Sequence, residues 1–145
     1  MTSRARITVV IVDDHRSFGD ALAIALDKER DLEIVAVTTD GASAAQVTAE
    51  LKPDVVLLDL EMPGMGGLEA SPRIREASED TSIIILTGSE DELAHGRALE
   101  AGAHGFLHKT AAIGDVAAAV RRAHRGETLN PDERLRTALT RLPNG

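Results

Sequence analysis

An α/β fold, a doubly wound parallel sheet built from five βα units, follows from three features of the sequence. Short runs of Val, Ile and Leu alternate five times with longer stretches of helical periodicity. The connections between them are short, so the strands run parallel with right-handed crossovers. Aromatics are nearly missing, with two Phe, no Trp and no Tyr in 145 residues. The core is therefore made of Val, Ile, Leu and Ala, which suits parallel strands buried on both faces.

Each element has its own signal. The first strand, 7–12, is β-branched throughout. Phe18, Leu22 and Leu26, spaced i, i+4, i+8, mark a helix over 17–28. A second strand spans 32–37, and a helix over 42–51 is stopped by Pro53. The third strand is 55–58. The loop Glu61-Met62-Pro63-Gly64-Met65-Gly66-Gly67 then leads to a helix ending near Ser78. Pro72 falls inside that helix. Either Ser71 caps a late start with Pro72 at the first position, or a first turn begins at Gly67 and kinks at Pro72, which is the expectation here. Strand four is 83–86 and helix four 91–101, with Gly102 where a left-handed residue is wanted. Strand five is 105–107. Helix five, 113–125, carries Ile113, Val116 and Val120 on one stripe and ends at Gly126. The flavodoxin-like strand order 2-1-3-4-5 sets the ends of strands one and three side by side at the switch point, where open sheets bind ligands.

One domain, 1–126, accounts for this pattern. In the remainder, 127–145, Asn130-Pro131 reads as a helix start, and Leu135, Leu139 and Leu142 recur at near-helical spacing, giving a partly helical tail. The formal net charge of −8 makes this chain a poor nucleic-acid binder by itself. It has no cysteine, hence no disulfide and no thiolate chemistry, which fits a reducing cytoplasm. No window is long and apolar enough to span a bilayer.

Five residues sit where the aliphatic runs end: Asp13 and Asp14 after strand one, Asp59 after strand three, Thr87 after strand four and Lys109 after strand five. Three carboxylates in one crevice repel each other unless a hard cation lies among them, and Mg²⁺ prefers oxygen ligands. Asp59, with no basic residue near it in sequence, is the candidate nucleophile. Its bland reading is a strand-end cap. Asp13 and Asp14 are the candidate metal pair, although either Asp14 or Ser17 can also cap the first helix. The Thr87 hydroxyl can donate to a phosphoryl oxygen, or be an ordinary β-branched strand residue. Lys109, one of three lysines, supplies a point charge for phosphate, or a solvated loop ammonium. The backbone carbonyl of Glu61 can reach a cation. Gly88 leaves open space above the site, and Glu61 and Ser89 flank it. His15, beside the acidic pair, can tune the site. His95, His104, His108 and His124 read as surface residues with no metal spacing.

These residues together resemble the receiver domain of two-component response regulators. The resemblance runs from Ile7 to Arg125 and rests on Val10-Ile11-Val12-Asp13-Asp14-His15, Leu57-Leu58-Asp59-Leu60-Glu61-Met62-Pro63-Gly64, Ile85-Leu86-Thr87 and Gly105-Phe106-Leu107-His108-Lys109. It implies a phosphorylation switch in which Asp59 takes a phosphoryl group from a histidine kinase with Mg²⁺ bound. By position, Asp14 and Asp59 would bind the metal directly, Asp13 through water and Glu61 through its carbonyl. Lys109 would pair with the phosphoryl group, Thr87 would move to hydrogen-bond it, and Phe106 would turn inward behind Thr87. The surface of helix four, strand five and helix five would change, and homodimerisation on phosphorylation is expected from the family. The Asp-Asp-His start, the Met-Pro-Gly-Met loop and Lys109-Thr110 look most like the NarL/LuxR-type subfamily. There a helix-turn-helix domain follows and carries the DNA binding, so 127–145 resembles the start of a linker and the chain a truncated one, the alternative being a natural stand-alone receiver. Gly66, where the subfamily often has Asp, and Pro72 depart from its pattern.

Three rivals have weaker support. A dehalogenase-type phosphotransferase needs an Asp-x-Asp after strand one, where this chain has adjacent aspartates. A flavin module needs a hydroxyl-rich phosphate loop there and aromatics to cover the ring. A receiver-like interaction module that is never phosphorylated would have no need of the full five-residue set.

Overall fold

The parallel pairing expected from the alternating runs is what the chain adopts. The computed structural model describes residues 6–62, 64–88 and 91–127, with Ala94 described by its backbone alone. The elements are β1 (Ile7–Val12), α1 (Arg16–Asp27), β2 (Leu32–Thr38), α2 (Gly41–Leu51), β3 (Val55–Asp59), α3 (Gly67–Ala77), β4 (Ser82–Thr87), α4 (Glu92–Glu100), β5 (Gly105–His108) and α5 (Ile113–His124). The sheet order is β2-β1-β3-β4-β5, with every pair parallel. The expected tail helix with Leu135, Leu139 and Leu142 lies outside the described residues, as do Pro63 and Ser89.

The two-residue period of the strands divides the interior into two cores. Val9, Ile11, Val55, Leu57, Ile84 and Leu86 pack with Leu22 and Leu26 of α1 and Val116 and Val120 of α5. Their sequence neighbours Val10, Val12, Val56, Leu58, Ile83 and Ile85 pack on the other face with Ala44, Ala70, Ile74, Ala98 and Phe106. Val9, Val10, Leu58 and Ile83 through Ile85 are wholly buried. Each such side chain contributes about 1.5–3 kcal/mol. This sandwich holds the strand ends fixed, which is what the site requires.

Pro72 lies inside α3, which starts at Gly67 as expected. The ring removes the N–H that would bond to Leu68, and the Ser71 hydroxyl donates to the Gly67 carbonyl at 2.8 Å. The α1 cap differs from the expectation. His15 is the N-cap residue and makes no side-chain cap bond, so neither Asp14 nor Ser17 fills that role. Gly102, at φ +119°, closes α4. The N–H of Ala103 returns to Ala98 and that of Gly102 to Leu99, a Schellman end that a left-handed glycine permits.

Candidate functional site

Parallel register brings residues distant in sequence to one edge of the sheet. Asp59 pairs with Leu86, and Thr87 with His108. The Lys109 N–H donates to the Thr87 carbonyl at 2.8 Å, extending the ladder one step past β5. The Lys109 ammonium then lies 2.7 Å from Asp13 Oδ2 and 3.3 Å from Asp59 Oδ2. Its Nζ is also 4.8 Å from the centre of the Phe18 ring, within cation–π reach. The opening turn of α1 is thus part of the site's wall, and Phe18, read from its spacing as a core residue, is a member of the site.

Two backbone donors orient the carboxylates. The Glu61 N–H donates to Asp59 Oδ1 at 3.2 Å, and the His15 N–H to Asp13 Oδ1 at 2.8 Å. The Glu61 side chain is exposed. Asp13 and Asp59 are almost fully buried, at 2% and 3% exposure. Burial, and after it the Asp13 charge, pushes the Asp59 carboxyl up to about 6. The Glu61 N–H and the Lys109 ammonium pull the other way and lose. For Lys109, burial lowers the pKa, but Asp13 and Asp59 outweigh it and the net shift is upward. The lysine is therefore a fixed positive charge. Three carboxylates against one ammonium leave the pocket with two negative charges when all are ionised.

A divalent cation matches that deficit. Asp13, Asp14, His15 and Asp59 can each offer one ligand atom, all within 4.8 Å of one another. Asp14 Oδ1 is buried and lacks a hydrogen-bond partner among the described residues. An orphaned carboxylate oxygen facing other carboxylates is a donor arranged for a cation. The residues present fit Mg²⁺.

Thr87 ends β4 and is 1% exposed. Phe106 sits on β5 opposite Ile85 and is 8% exposed, so its ring already points into the protein. Above it lies His95, with ring centres 4.2 Å apart and planes tilted by 34°. His95 is 6% exposed, which corrects the expectation that it is a surface residue. His104 is also not a free surface group. Its Nδ1 accepts from the Ile83 N–H at 2.9 Å, and Arg75 Nη1 stands 3.1 Å from its Nε2. Burial and then the Arg75 charge hold its pKa down. The loop after Asp59 is packed against that residue's backbone. A Cβ at Gly67 would lie 2.8 Å from the Asp59 carbonyl oxygen, so α3 can begin there only with glycine.

Buried carboxylates and a lysine at the carboxyl ends of the strands of a doubly wound sheet define the class, an α/β protein with a charged strand-end pocket that fits a divalent cation. The chain belongs to the response regulator receiver domain family, whose profile matches residues 9–121. It is 38% identical over 121 residues to the transcriptional regulatory protein LiaR of Bacillus subtilis, a match covering 83% of this chain and 57% of that one. It is 39% identical over 132 residues to the oxygen regulatory protein NreC of Staphylococcus epidermidis, covering 90% of this chain and 60% of that one. The chain thus spans less than two thirds of these curated relatives. Among solved structures it is similar to the signal receiver domain of a NarL response regulator from Mycobacterium tuberculosis, with a TM-score of 0.82, 30% identity, and coverage of 86% of this chain and 100% of that one. It is also similar to a LuxR-family response regulator from Aurantimonas sp. SI85-9A1, with a TM-score of 0.83, 26% identity, and coverage of 94% and 96%. The chain is a receiver domain of the NarL/LuxR type.

Proposed function

We propose that Asp59 is the phosphoacceptor of this receiver and that Asp13, Asp14, Lys109, Thr87 and Phe106 serve its phosphorylation and readout. The observation that carries this reading is the buried Asp59 carboxylate, held by the Glu61 N–H and within 3.3 Å of the Lys109 ammonium.

An Asp59 oxygen attacks the phosphorus of a phosphohistidine presented by a sensor kinase. The O–P bond forms as the N–P bond breaks, and the imidazole leaves and is protonated by solvent. Mg²⁺ would be held directly by Asp14 and Asp59, through water by Asp13 and by the Glu61 carbonyl, and when bound it screens the charge of the transferred group. Lys109 exchanges its Asp59 contact for a phosphoryl oxygen while Asp13 keeps it aimed. The Thr87 hydroxyl donates to another oxygen, and Phe106 follows into the space behind it. The outer surface of α4, β5 and α5 then changes shape for an output. Asp59 is modified once per cycle, so the domain is a regulatory phosphoacceptor that assists its own phosphorylation and hydrolysis.

Residues 1–126 form the receiver in this reading and 127–145 a linker. In the whole protein the output is transcription control through a separate DNA-binding domain, and phosphorylation drives homodimerisation. No helix among the described residues is long and apolar enough to cross a membrane, and the site of action is the cytoplasm.

The test is an intact-mass spectrum after incubation with acetyl phosphate. A Mg²⁺-dependent gain of one phosphoryl group, lost in Asp59→Asn, is the expected result. No gain in a folded, Mg²⁺-binding protein would favour a phosphorylation-independent interaction module, or a site that accepts phosphate only from its own kinase.

A further inference from the structure

We infer that Arg75 and His104 form a binding site for a carboxylate, at the end of the sheet away from the Asp59 pocket. The phosphorylation chemistry uses neither residue.

Two donors meet here without an acceptor between them. His104 Nδ1 accepts from the Ile83 N–H at 2.9 Å. That nitrogen therefore holds the lone pair, and in the neutral ring the proton sits on Nε2. The ring is neutral at pH 7, because burial and then the Arg75 charge hold its pKa below the ordinary 6.5. Arg75 Nη1 stands 3.1 Å from Nε2, and a guanidinium nitrogen has hydrogens to give but no lone pair to offer. Nη1 already donates one hydrogen to the Gly102 carbonyl at 3.3 Å. Its second hydrogen and the Nε2–H face the same space. One oxygen can take both, since two nitrogens 3.1 Å apart can each lie an ordinary N–H···O distance of about 2.9 Å from it.

The donors are held in place before any ligand arrives. A Cβ at Gly102 would run into Arg75 Cδ, so the arginine stem lies in the gap that this glycine leaves at φ +119°. The imidazole is fixed by the Ile83 N–H. Both side chains are half-buried, so a dissolved ligand can reach them. The other guanidinium nitrogens, Nε and Nη2, have no protein partner among the described residues and supply the second arm of a fork.

Such a fork suits a carboxylate or a phosphate, and the surrounding charge decides between them. Glu76 follows Arg75 on α3, Glu79 lies in the turn after it, and Glu100 ends α4. The carboxyl-terminal ends of the two helices add partial negative charge. A singly charged carboxylate meets less repulsion here than a doubly charged phosphate.

The experiment uses the chain as it stands, in EDTA, with sodium acetate as the probe and sodium chloride at matched ionic strength as the control. Long-range ¹H–¹⁵N spectra of the imidazoles first give the tautomer of His104. The expected result is the Nε2–H form, followed by saturable acetate shifts at His104 and at the Ile83, Gly102 and Ala103 amides that chloride does not produce. Arg75→Leu keeps an apolar stem beside Gly102 and should weaken acetate binding about tenfold, with Arg75→Lys, which has the charge without the fork, in between. A blocked peptide carrying a single Glu distinguishes the sources: tighter binding than acetate places the carboxylate on a partner chain, and equal or weaker binding makes it a free small molecule. The Nδ1–H tautomer, with Arg75 donating to Nε2, would remove the spare donor and overturn the inference in wild type alone. Shifts that stay linear with acetate, or that survive unchanged in a folded Arg75→Leu, would also overturn it. Inorganic phosphate binding more tightly than acetate would overturn the assignment to a carboxylate.

Discussion

Removing the charge at Asp59 should stabilise the ion-free domain, which inverts the usual effect of mutating a buried functional residue. The folded-state pKa is about 6 against an ordinary 3.8. A carboxyl whose folded pKa is raised favours folding while protonated. That contribution is complete below about pH 4 and is lost as pH rises through about 6. The gap of roughly two units, at about 1.4 kcal/mol each, sets a ceiling near 3 kcal/mol on what the ionised group costs at neutral pH. Asn retains an oxygen for the Glu61 N–H and leaves Lys109 to Asp13, 2.7 Å away, so most of the gain should survive. Thermal unfolding of wild type and Asp59→Asn in EDTA, followed by circular dichroism from pH 4 to 8, measures it. The variant should match wild type near pH 4 and exceed it by up to roughly 10 °C at pH 7.5. Saturating Mg²⁺ should then raise wild type more than the variant and narrow the gap. A variant no more stable than wild type at pH 7.5 in EDTA, or a gain that stays flat with pH, would refute the account of Asp59 as a charge held against burial and the Asp13 carboxylate.

Two further outcomes follow from the same structure. Lys109→Met strands Asp13 and Asp59 without a counter-charge, and urea unfolding in EDTA at pH 7.5 should show a loss of about 3 kcal/mol that shrinks at pH 5 as the Asp59 carboxyl takes up a proton. A pH-independent loss would mean that packing on Phe18 is what matters. Pro72→Ala returns an N–H to the exposed second turn of α3 and should raise the urea midpoint by the equivalent of about 1–3 kcal/mol; an unchanged or lower midpoint would show that the proline is suited to its place.

The fold was readable because each strand is bounded by residues with one physical role. Pro53 cannot continue α2, Gly102 takes the left-handed turn after α4, and strings such as Val55-Val56-Leu57-Leu58 suit only strands buried on both faces. Asp59, Asp13, Asp14 and Lys109 were readable as a group because parallel strands must end on the same edge. The reading failed where burial ran against polarity. On α4, Leu93 is 52% exposed while His95 is 6% exposed, the reverse of what hydropathy suggests. The spacing of His95 three residues before buried Ala98 was the available signal. Strand spacing does not separate Asp13 from Asp14, yet Lys109 pairs with Asp13 and Asp14 Oδ1 is left without a hydrogen bond. Only the turn at the end of β1 decides which aspartate faces the lysine. Phe18 was read by its spacing to Leu22 and Leu26, which places it on the apolar face of α1 but is blind to its standing at the end of that face, against Lys109.

The two flanks of the acceptor strand differ in how much clearance they offer. At Gly67 the start of α3 is seated so tightly against Asp59 and Leu60 that even a methyl group would collide with backbone at under 3 Å. At Gly88, past the end of β4, an added methyl would meet nothing within 4 Å. The end of β3 therefore sits like a shaft with a fixed shoulder on one side and play on the other. Backbone clearance is thus available past the end of β4, the flank that carries Thr87, and not at the start of α3.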